Sequence, residues 1–380
     1  MTSKERIFRQ LAGEPVDHIP LIGGWALGAR NIAEIAGISI EDYQTDPLGG
    51  VLAANHALCC DGLVPPAIPD PANLDENHQG EVREEEFAHI EPEALLEYAE
   101  QIPDTEERVL AERFNEKKFE ANLNAVYDMH QKNTKGFTLI PNDWGVSANF
   151  TLFAIYGYQA FLEAIAFYPE AVEKIFWESA VIARRQNQYH IEMIKKHDLP
   201  RMMFTGHDIC NQMGPMCSPK YLKKSYWPHS KYALEPFVNE GIRLIHHCDG
   251  NVMPIIDDMI DAGYTGFQGF QYECGVDPYE LAKRRGPNGE TMLFMAGLSI
   301  TRTLPFGTPQ EAKDEIDYCM DYTDGGKGLF LFTSNVVGIE VPPINLKTAY
   351  HHAASIDPST WQPKQRPWPW SQRQSKTLLN

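Results

Sequence analysis

The chain lacks three features that would place it in common classes of protein. It has no excess of basic charge, because its formal net charge is −19 over 380 residues, and a nucleic-acid partner would need basic patches. It has no apolar run of the roughly 18–20 residues that a membrane helix requires. Its first residues contain no apolar core of the kind found in signal peptides. We therefore expect a protein that acts on neither nucleic acid nor a membrane.

Cysteine pairs and nucleotide-binding glycine motifs are missing as well. The seven cysteines are odd in number and form no CxxC pair, so we expect reduced thiols in a cytoplasmic protein, not a disulfide framework. No GxGxxG or Walker sequence occurs where a doubly wound nucleotide-binding sheet would need one. Repeats of solenoid length are also absent from the sequence.

The sequence does contain a regular alternation of apolar strands and helices. Strand-like runs begin near Ile19 and recur up to a segment that ends at Asn335, with helical stretches between them. This order is typical of a parallel sheet with crossover helices. About eight strands favour an α/β fold of the (β/α)8 TIM-barrel type over a doubly wound sheet. We expect one barrel domain at residues 1–360, with an N-terminal excursion at 62–90, and an extended tail at 361–380.

Polar residues follow the predicted strands, and the active site of such a barrel lies at the carboxyl ends of its strands. We therefore expect these side chains to lie around one common mouth. They are Asn142, Asp143, His207, Asp208, His247, Cys248, Asp249, Gln271, Glu273, Cys274, Ser299, Ser334 and Asn335. Such a set can bind a metal ion, or it can bind and protonate a polar substrate.

The segment 243–251, RLIHHCDGN, carries the highest density of metal-competent groups. A catalytic zinc ion has about three protein ligands, and donors at i and i+2 of a strand point to the same side. Two registers result, His246 with Cys248 or His247 with Asp249. Both faces of a barrel strand are apolar, so periodicity leaves the two registers open. The alternative is that this segment binds no metal or substrate. One histidine and the cysteine would then be packed core residues, and the remaining residues would form a turn.

Further polar residues are candidates for catalysis and substrate binding. Asp208 directly follows an apolar strand, and a buried carboxylate without a partner is costly, which favours a catalytic role. Glu273 is a candidate ligand, general base or substrate anchor, or else a charge ahead of the helix that begins at Asp277. The catalytic candidates are Asp208, Glu273 and His207, and the substrate-binding candidates are Asn142, Asp143 and Asn335.

Several segments together resemble the uroporphyrinogen decarboxylase superfamily, over most of the chain. Members of that superfamily are (β/α)8 barrels, which agrees with the fold expected above. The resemblance is carried by Ser3-Lys4-Glu5-Arg6, Gly13-Glu14-Pro15-Val16-Asp17-His18-Ile19-Pro20, His207-Asp208-Ile209, Gly214-Pro215-Met216, Ser218-Pro219, His247-Cys248-Asp249-Gly250-Asn251, Gly297-Leu298, Thr303-Leu304-Pro305-Phe306-Gly307-Thr308-Pro309, Val341-Pro342-Pro343 and Asn345.

The resemblance implies one of two activities. Uroporphyrinogen decarboxylases carry an Arg-rich segment just after the first strand, which grips substrate carboxylates. Here residues 23–30 read GGWALGAR, so tetrapyrrole decarboxylation is not expected. The other branch consists of zinc-dependent methyltransferases that pass methyl groups to or from a corrinoid protein. Its members include methylcobalamin:coenzyme M methyltransferases and O-demethylase components.

The resemblance also suggests a set of metal ligands. In the coenzyme M branch the ligands come from a His-x-Cys-Gly-Asn segment and from a later Cys near the last strand. Aligned on Gly250-Asn251, this chain offers His247 and Asp249 for the first two, and the later position falls near Asn335. A harder site of imidazole and carboxylate suits polarising an ether oxygen. The metal-ligand candidates are His247, Asp249, Cys248 and Glu273.

The function that the resemblance favours is transfer of a methyl group from a methoxylated, aromatic compound to the Co(I) of a corrinoid protein. Zinc acts as the Lewis acid, and the corrinoid (cobalamin) is carried by the partner protein. The alternatives are a methylcobalamin:thiol methyltransferase of the coenzyme M type and a metal-free decarboxylase or binding barrel that uses Asp208 and His247 on a carboxylated ligand. A homodimer is one candidate assembly.

Overall fold

The computed structural model describes residues 1–26, 28–74, 87, 89–269 and 271–371. Residues 75–86 and 88 of the expected excursion, and residues 372–380 of the expected tail, lie outside the described residues. The domain boundaries expected from the sequence stay predictions.

Ten strands occur in the described residues. Two parallel sheets contain eight of them, with the order β10-β9-β8-β7-β4 in a five-stranded sheet and β1-β2-β3 in a three-stranded sheet, and β5 pairs antiparallel with β6. The bounds are β1 (Ile22–Gly23), β2 (Gly62–Leu63), β3 (Thr138–Leu139), β4 (Met202–Gly206), β5 (Cys210–Asn211), β6 (Gly214–Pro215), β7 (Arg243–His247), β8 (Tyr264–Gln268), β9 (Leu293–Leu298) and β10 (Leu329–Thr333).

Isolated bridges join the edges of the two parallel sheets. Leu21, just before β1, pairs in parallel with Leu331 of β10, and Asn142, beyond β3, pairs in parallel with Phe204 of β4. At the first junction the backbone nitrogen of Leu331 donates to the carbonyl of Pro20 over 2.9 Å. The prediction of an α/β fold built on parallel strands is confirmed, and the five-stranded sheet is curled into a half-barrel.

Helices lie between the strands along the chain, as the alternating pattern predicts. None of those in the described ranges is long and apolar enough to cross a bilayer. The α-helices are Ser3–Leu11, Ala29–Ala36, Ile40–Thr45, Pro47–Ala57, Glu93–Glu100, Glu106–Arg113, Glu116–Asn133, Phe153–Tyr156, Tyr158–Phe167, Pro169–Lys196, Pro219–Ser225, Trp227–Asn239, Ile256–Ala262, Pro278–Ala282, Thr303–Phe306, Pro309–Tyr322 and Pro343–Ser355. Short 3-10 turns occur at Met253–Ile255, Tyr272–Cys274 and Pro358–Thr360.

Two helical stretches that the sequence predicts as continuous are divided. The stretch at 152–166 breaks at Gly157, whose φ of 80° is a left-handed conformation that a helix interior does not adopt. The stretch at 219–239 stops at Ser225 and restarts at Trp227. Pro228 explains the second break, because proline has no N–H to donate and fits only the first turn of a helix.

The strands bury two different faces. One residue parity of the strands supplies an inner apolar cluster drawn from both sheets: Ile22, Val64, Ile140, Met202, Phe204, Ile245, Leu293, Met295, Phe330 and Phe332, closed at one end by Ile7 of the first helix. The other parity, which includes Leu244 and Phe267, packs in a larger cluster with the helices. Because successive strand residues alternate in direction, the position two residues beyond Ile245 faces the same inner side.

The C-terminal segment packs against the helix Pro309–Tyr322. The indole nitrogen of Trp368 donates to Glu315 Oε1 over 2.7 Å, and the backbone nitrogen of Ser299 donates to Glu315 Oε2 over 3.2 Å. Glu315 is fully buried, and burial raises the pKa of its carboxyl group to about 8. Burial outweighs the two hydrogen bonds, which favour the ionised form.

We expect this carboxyl group to make stability depend on pH. Between the ordinary carboxyl pKa near 4.5 and the folded value of about 8, the folded chain holds a proton that the unfolded chain has lost. The free energy of unfolding therefore falls as pH rises through that window, by up to about 1.4 kcal/mol per pH unit. Urea unfolding at pH 5, 6.5 and 8 should show this loss in the parent and a smaller one in Glu315→Gln. Parallel pH profiles for the two proteins would contradict it.

Candidate metal centre

His247 is the last residue of β7 and lies at the carboxyl end of the five-stranded sheet. It has the same parity as Ile245, so its ring faces the inner side of the sheet. The neighbouring strand β4 approaches closely at this point: a Cβ on Gly206 would lie 2.1 Å from the His247 carbonyl oxygen. Only glycine at position 206 allows β4 and β7 to pair here, and the chain then leads directly into His207 and Asp208.

Three polar side chains meet at this end of the sheet. His247 Nε2 lies 3.8 Å from Asp208 Oδ1 and 4.0 Å from Asp249 Oδ1. One ligand atom from each of the three residues falls within 4.8 Å of the others, a grouping that could hold a metal ion. The backbone nitrogen of Asp249 donates to Asp208 Oδ1 over 3.1 Å, which ties the loops after β4 and β7 together.

The imidazole of His247 is held from behind by Gln268, the last residue of β8. His247 Nδ1 is hydrogen-bonded to Gln268 Oε1. The amide nitrogen of the same Gln268 donates to the carbonyls of Thr333 and Ser334 over 2.7 and 3.0 Å. Strands β7, β8 and β10 are thus connected by one side chain beneath the three-residue group.

Asp249 differs in the hydrogen bonding of its two carboxylate oxygens. Its Oδ2 accepts a hydrogen bond of 2.8 Å from Asn335 Nδ2. Its Oδ1 is buried and has no hydrogen-bond partner among the described residues. Burial raises the pKa of the Asp249 carboxyl group, and the carboxylates of Asp208 and Glu273 raise it further. A buried oxygen without a partner is costly, and a bound cation would satisfy it.

Two of the predicted metal ligands lie outside this group. The thiol of Cys248 is 3 % exposed, accepts from the backbone nitrogen of Ile209 at 3.4 Å, and has its pKa raised by burial, which disfavours the thiolate that a metal requires. Glu273 lies in the 3-10 turn Tyr272–Cys274 and its Oε1 accepts from the hydroxyl of Thr301. Glu273 Oε2 is buried without a hydrogen-bond partner in the described part of the chain.

His207, predicted as catalytic, is engaged in the structure on both ring nitrogens. Its Nδ1 lies 3.3 Å from the hydroxyl of Tyr226, and its Nε2 lies 3.0 Å from the carbonyl of Trp144. Burial lowers the pKa of this imidazole to about 4, so the ring is neutral near pH 7. These contacts make His207 a support for the loop after β3, and we do not propose a catalytic role for it.

The predicted substrate-binding residues are separated by the structure. Asn335 reaches the candidate metal centre through Asp249. Asn142 forms the bridge between β3 and β4. Asp143 turns outward, with its Oδ2 lying 3.6 Å from Nε2 of His190 on the helix Pro169–Lys196 and its Oδ1 accepting from the backbone of Gly145. The structure therefore brings Asn335, but not Asp143, to the group of three.

The alternative register, His246 with Cys248, lies on the opposite face of β7. The ring of His246 packs edge-on against Tyr264 with the centroids 4.5 Å apart. Burial lowers the pKa of this imidazole well below its usual value. His246 and Cys248 line a separate small cavity beside the helix Ile256–Ala262. The fold therefore directs the two registers to different places, and His247 with Asp249 faces the mouth of the sheet.

Two tryptophans form an aromatic wall beside His247. The ring centroids of Trp25 and Trp144 lie 5.9 and 5.7 Å from the His247 ring, in edge-to-face geometry. The two indoles stack with their centroids 6.4 Å apart and also contact Phe204. Trp144 is 42 % exposed, so part of its surface is open to a ligand next to the candidate metal centre.

Sequence reasoning missed Gln268, Trp25 and Trp144 as functional candidates. The sequence predicts a strand from Tyr264 to Tyr272, which would place Gln268 in the strand interior. In the structure β8 ends at Gln268, because Gly269 adopts a φ of 90°. Trp25 and Trp144 end the strand-like runs of β1 and β3, and this position at a strand end was the available signal.

Comparison with known proteins gives a likeness of fold. No protein-family model matches the chain, and no curated protein sequence matches it. Among solved structures, a methyltransferase from Methanosarcina mazei is similar, with a TM-score of 0.57 and 17 % sequence identity over 93 % of this chain and 98 % of that chain. The likeness shows that the two chains share a fold along nearly their whole length. The resemblance to the uroporphyrinogen decarboxylase superfamily stays a prediction.

Proposed function

We propose that the chain is a metal-dependent methyltransferase that moves a methyl group from a methoxylated aromatic compound to the Co(I) of a corrinoid protein. The observation that carries the proposal is the convergence of Asp208, His247 and Asp249 at the carboxyl ends of β4 and β7, next to the partly exposed indole of Trp144. The likeness in fold to a protein named as a methyltransferase supports the choice of reaction.

We further propose that the two parallel sheets form one (β/α)8 barrel of the uroporphyrinogen decarboxylase type. The parallel bridges at Leu21–Leu331 and Asn142–Phe204 support closure, since they join both edges of the sheets. The inner apolar cluster supports it as well, because it contains residues from both sheets. In such a barrel the carboxyl ends of the strands form the active-site face, where the group of three lies.

The residues present fit a divalent cation. One imidazole nitrogen and two carboxylates form a three-ligand set of the kind that leaves a fourth position open on a catalytic zinc. The unpartnered buried Oδ1 of Asp249 is the strongest sign of fit, because a cation would compensate for its desolvation. When bound there, zinc would act as a Lewis acid on the ether oxygen, which contributes several kcal/mol to such a reaction.

The chain's own residues would hold the donor and keep the site ordered. An aryl ring stacked on Trp144 gains about 0.5–1.5 kcal/mol beyond its buried area, and it would lie beside His247. Asn335 holds Oδ2 of Asp249, and Gln268 holds Nδ1 of His247, by hydrogen bonds. The methyl carbon–oxygen bond breaks with its electron pair left on the aryl oxygen, and the acceptor Co(I) supplies the pair of the new bond. A thiol acceptor is less well supported, because the group of three contains no sulfur ligand.

Metal content tests the proposal most directly. After anaerobic purification and dialysis against zinc-containing and then zinc-free buffer, we expect close to one zinc per chain in the parent and little in His247→Ala, measured by elemental analysis. His246→Ala is the matched control, since it removes the same ring one residue away on the other face of β7 and should keep the metal. Circular dichroism would verify that both variants fold.

Turnover then separates the proposed reaction from its alternatives. Methylation of free cob(I)alamin by a panel of methoxylated benzoates and phenols, followed through the cobalamin absorption spectrum, is the expected activity. Methylation of a thiol by methylcobalamin would instead indicate the coenzyme M type of reaction. A parent protein that holds no metal and shows no methyl transfer would overturn the proposal and leave the group of three as a binding or acid–base site.

A further inference from the structure

The side chain of Gln268 crosses the active-site end of the five-stranded sheet. It starts on β8, passes β9 and reaches the end of β10, where its amide nitrogen donates to the carbonyls of Thr333 and Ser334 over 2.7 and 3.0 Å. Its oxygen is hydrogen-bonded to Nδ1 of His247. The side chain is 2 % exposed, so water does not compete for these contacts.

The two carbonyls determine which way the amide faces. A carbonyl oxygen only accepts hydrogen bonds, so the NH₂ group of Gln268 must be the end that points at Thr333 and Ser334. The amide oxygen then points at His247, and an amide oxygen also only accepts. Nδ1 of His247 must therefore carry the proton, and the orientation follows from the hydrogen-bond network of the three strands.

The position of the backbone keeps this arrangement in place. Gly269 follows Gln268 with a φ of 90°, and a Cβ at that position would lie 3.0 Å from His247 Nδ1. Glycine lets the chain turn away from the sheet directly after Gln268, without a side chain that would displace the imidazole. The imidazole is further enclosed by the rings of Trp25 and Trp144.

We propose that Gln268 is a positioning residue that fixes His247 in the Nδ1–H tautomer, so that Nε2 keeps its lone pair for a divalent cation. Nε2 is the atom that faces Asp208 Oδ1 and Asp249 Oδ1, at 3.8 and 4.0 Å. In free solution a neutral imidazole populates both tautomers, and only one of them can ligate through Nε2. The inference rests on the proposed metal centre, and it adds the residue that orders that centre before a cation arrives.

Nuclear magnetic resonance of the metal-free full-length chain tests the tautomer without metal or activity. With ¹⁵N-labelled histidine, long-range ¹H–¹⁵N correlation should show His247 protonated on Nδ1 and unprotonated on Nε2. Gln268→Met fills a similar volume but offers no amide oxygen, so we expect the His247 signals to move toward the Nε2–H tautomer. Gln10→Met is the matched control. Gln10 is also buried, and its amide nitrogen likewise donates to two backbone carbonyls, those of Gly326 and Leu329 at the other end of β10.

Cobalt(II) titration of the same proteins tests the consequence. Gln268→Met should raise the Kd for Co(II) about 10- to 100-fold, as expected for the loss of a hydrogen bond behind a metal-bound histidine, whereas Gln10→Met should change it by less than about threefold. A parent His247 found as the Nε2–H tautomer, or a Gln268→Met protein that binds Co(II) as tightly as the parent, would overturn the inference alone. A parent that binds no Co(II) at millimolar concentration would overturn the proposed metal centre, whatever the tautomer.

Discussion

Exchange of Asp249 for asparagine is expected to lower kcat/KM for methyl transfer to cob(I)alamin by about 1000-fold, which corresponds to about 4 kcal/mol. The substitution keeps the shape of the side chain, and the new amide oxygen can still accept from Asn335 Nδ2, the contact that Asp249 Oδ2 makes at 2.8 Å. What disappears is the charged oxygen Oδ1, which is buried and has no hydrogen-bond partner among the described residues. The loss should appear both in turnover and in metal content.

Asp257→Asn provides a matched control for that experiment. Asp257 lies eight residues further along, at the start of the helix Ile256–Ala262, with an exposed carboxylate paired to Arg284. The same loss of one negative charge there should leave kcat/KM within about twofold. Turnover in Asp249→Asn that equals the parent's would show that this carboxylate takes no part in the reaction.

The sequence predicts the strand that carries the candidate site but leaves its register open. β7 extends from Arg243 to His247, as expected from the apolar run. Alternation alone does not distinguish His246 from His247, because the fold buries both faces of the strand. The distinction depends on tertiary structure, because Ile245 belongs to the inner apolar cluster and Leu244 to the larger cluster that packs with the helices. His247 has the same parity as Ile245, so its side chain faces the inner side of the sheet.

The sequence-based interpretation was less complete where strands are short or end early. β2, at Gly62–Leu63, lies at the start of the stretch that the sequence predicts as an irregular excursion, because that stretch is rich in Pro, Asp, Glu and Asn without a clear period. In the structure two residues there pair with β1 and β3. The role of Gln268 depends on carbonyls at the end of β10, more than 60 residues away in the chain. No local pattern reports such a contact. The residue type of Cys248 predicts metal ligation, whereas its position directly after β7 places the thiol in the larger cluster that packs with the helices.

The resemblance to the uroporphyrinogen decarboxylase superfamily and the structure address different questions. The resemblance suggests His247 and Asp249 as ligands by alignment on Gly250. The structure adds Asp208, because the loops after β4 and β7 are tied by the hydrogen bond between Asp249 and Asp208. The proposed centre is therefore richer in carboxylate than a sulfur-containing zinc site. Hard oxygen ligands suit activation of an ether oxygen better than binding of a thiolate.

Replacement of Arg6 by methionine is expected to lower the free energy of unfolding by about 3–5 kcal/mol, since it leaves the Asp61 carboxylate buried without its cationic partner. Arg6 lies on the first helix, where its guanidinium contacts Asp61 and also Asp17. Asp61 Oδ2 accepts from the backbone nitrogen of Leu21 over 3.0 Å, and the Asp61 carbonyl accepts from Thr138. The Asp61 carboxylate therefore joins the first helix to the residue just before β1, while the Asp61 backbone joins the start of β2 to β3.

A matched control on the same helix distinguishes the loss of a buried ion pair from the loss of an exposed one. Lys4 pairs with Asp198 over 2.6 Å, but both side chains are largely exposed, so Lys4→Met should cost less than about 1 kcal/mol. Urea unfolding followed by circular dichroism and tryptophan fluorescence would measure both variants. Adding Asp61→Asn to Arg6→Met should recover part of the loss, because it removes the unpaired charge. Equal effects of Arg6→Met and Lys4→Met would mean that the three-stranded sheet does not depend on this ion pair, and that apolar packing by residues such as Ile7 holds the first helix in place.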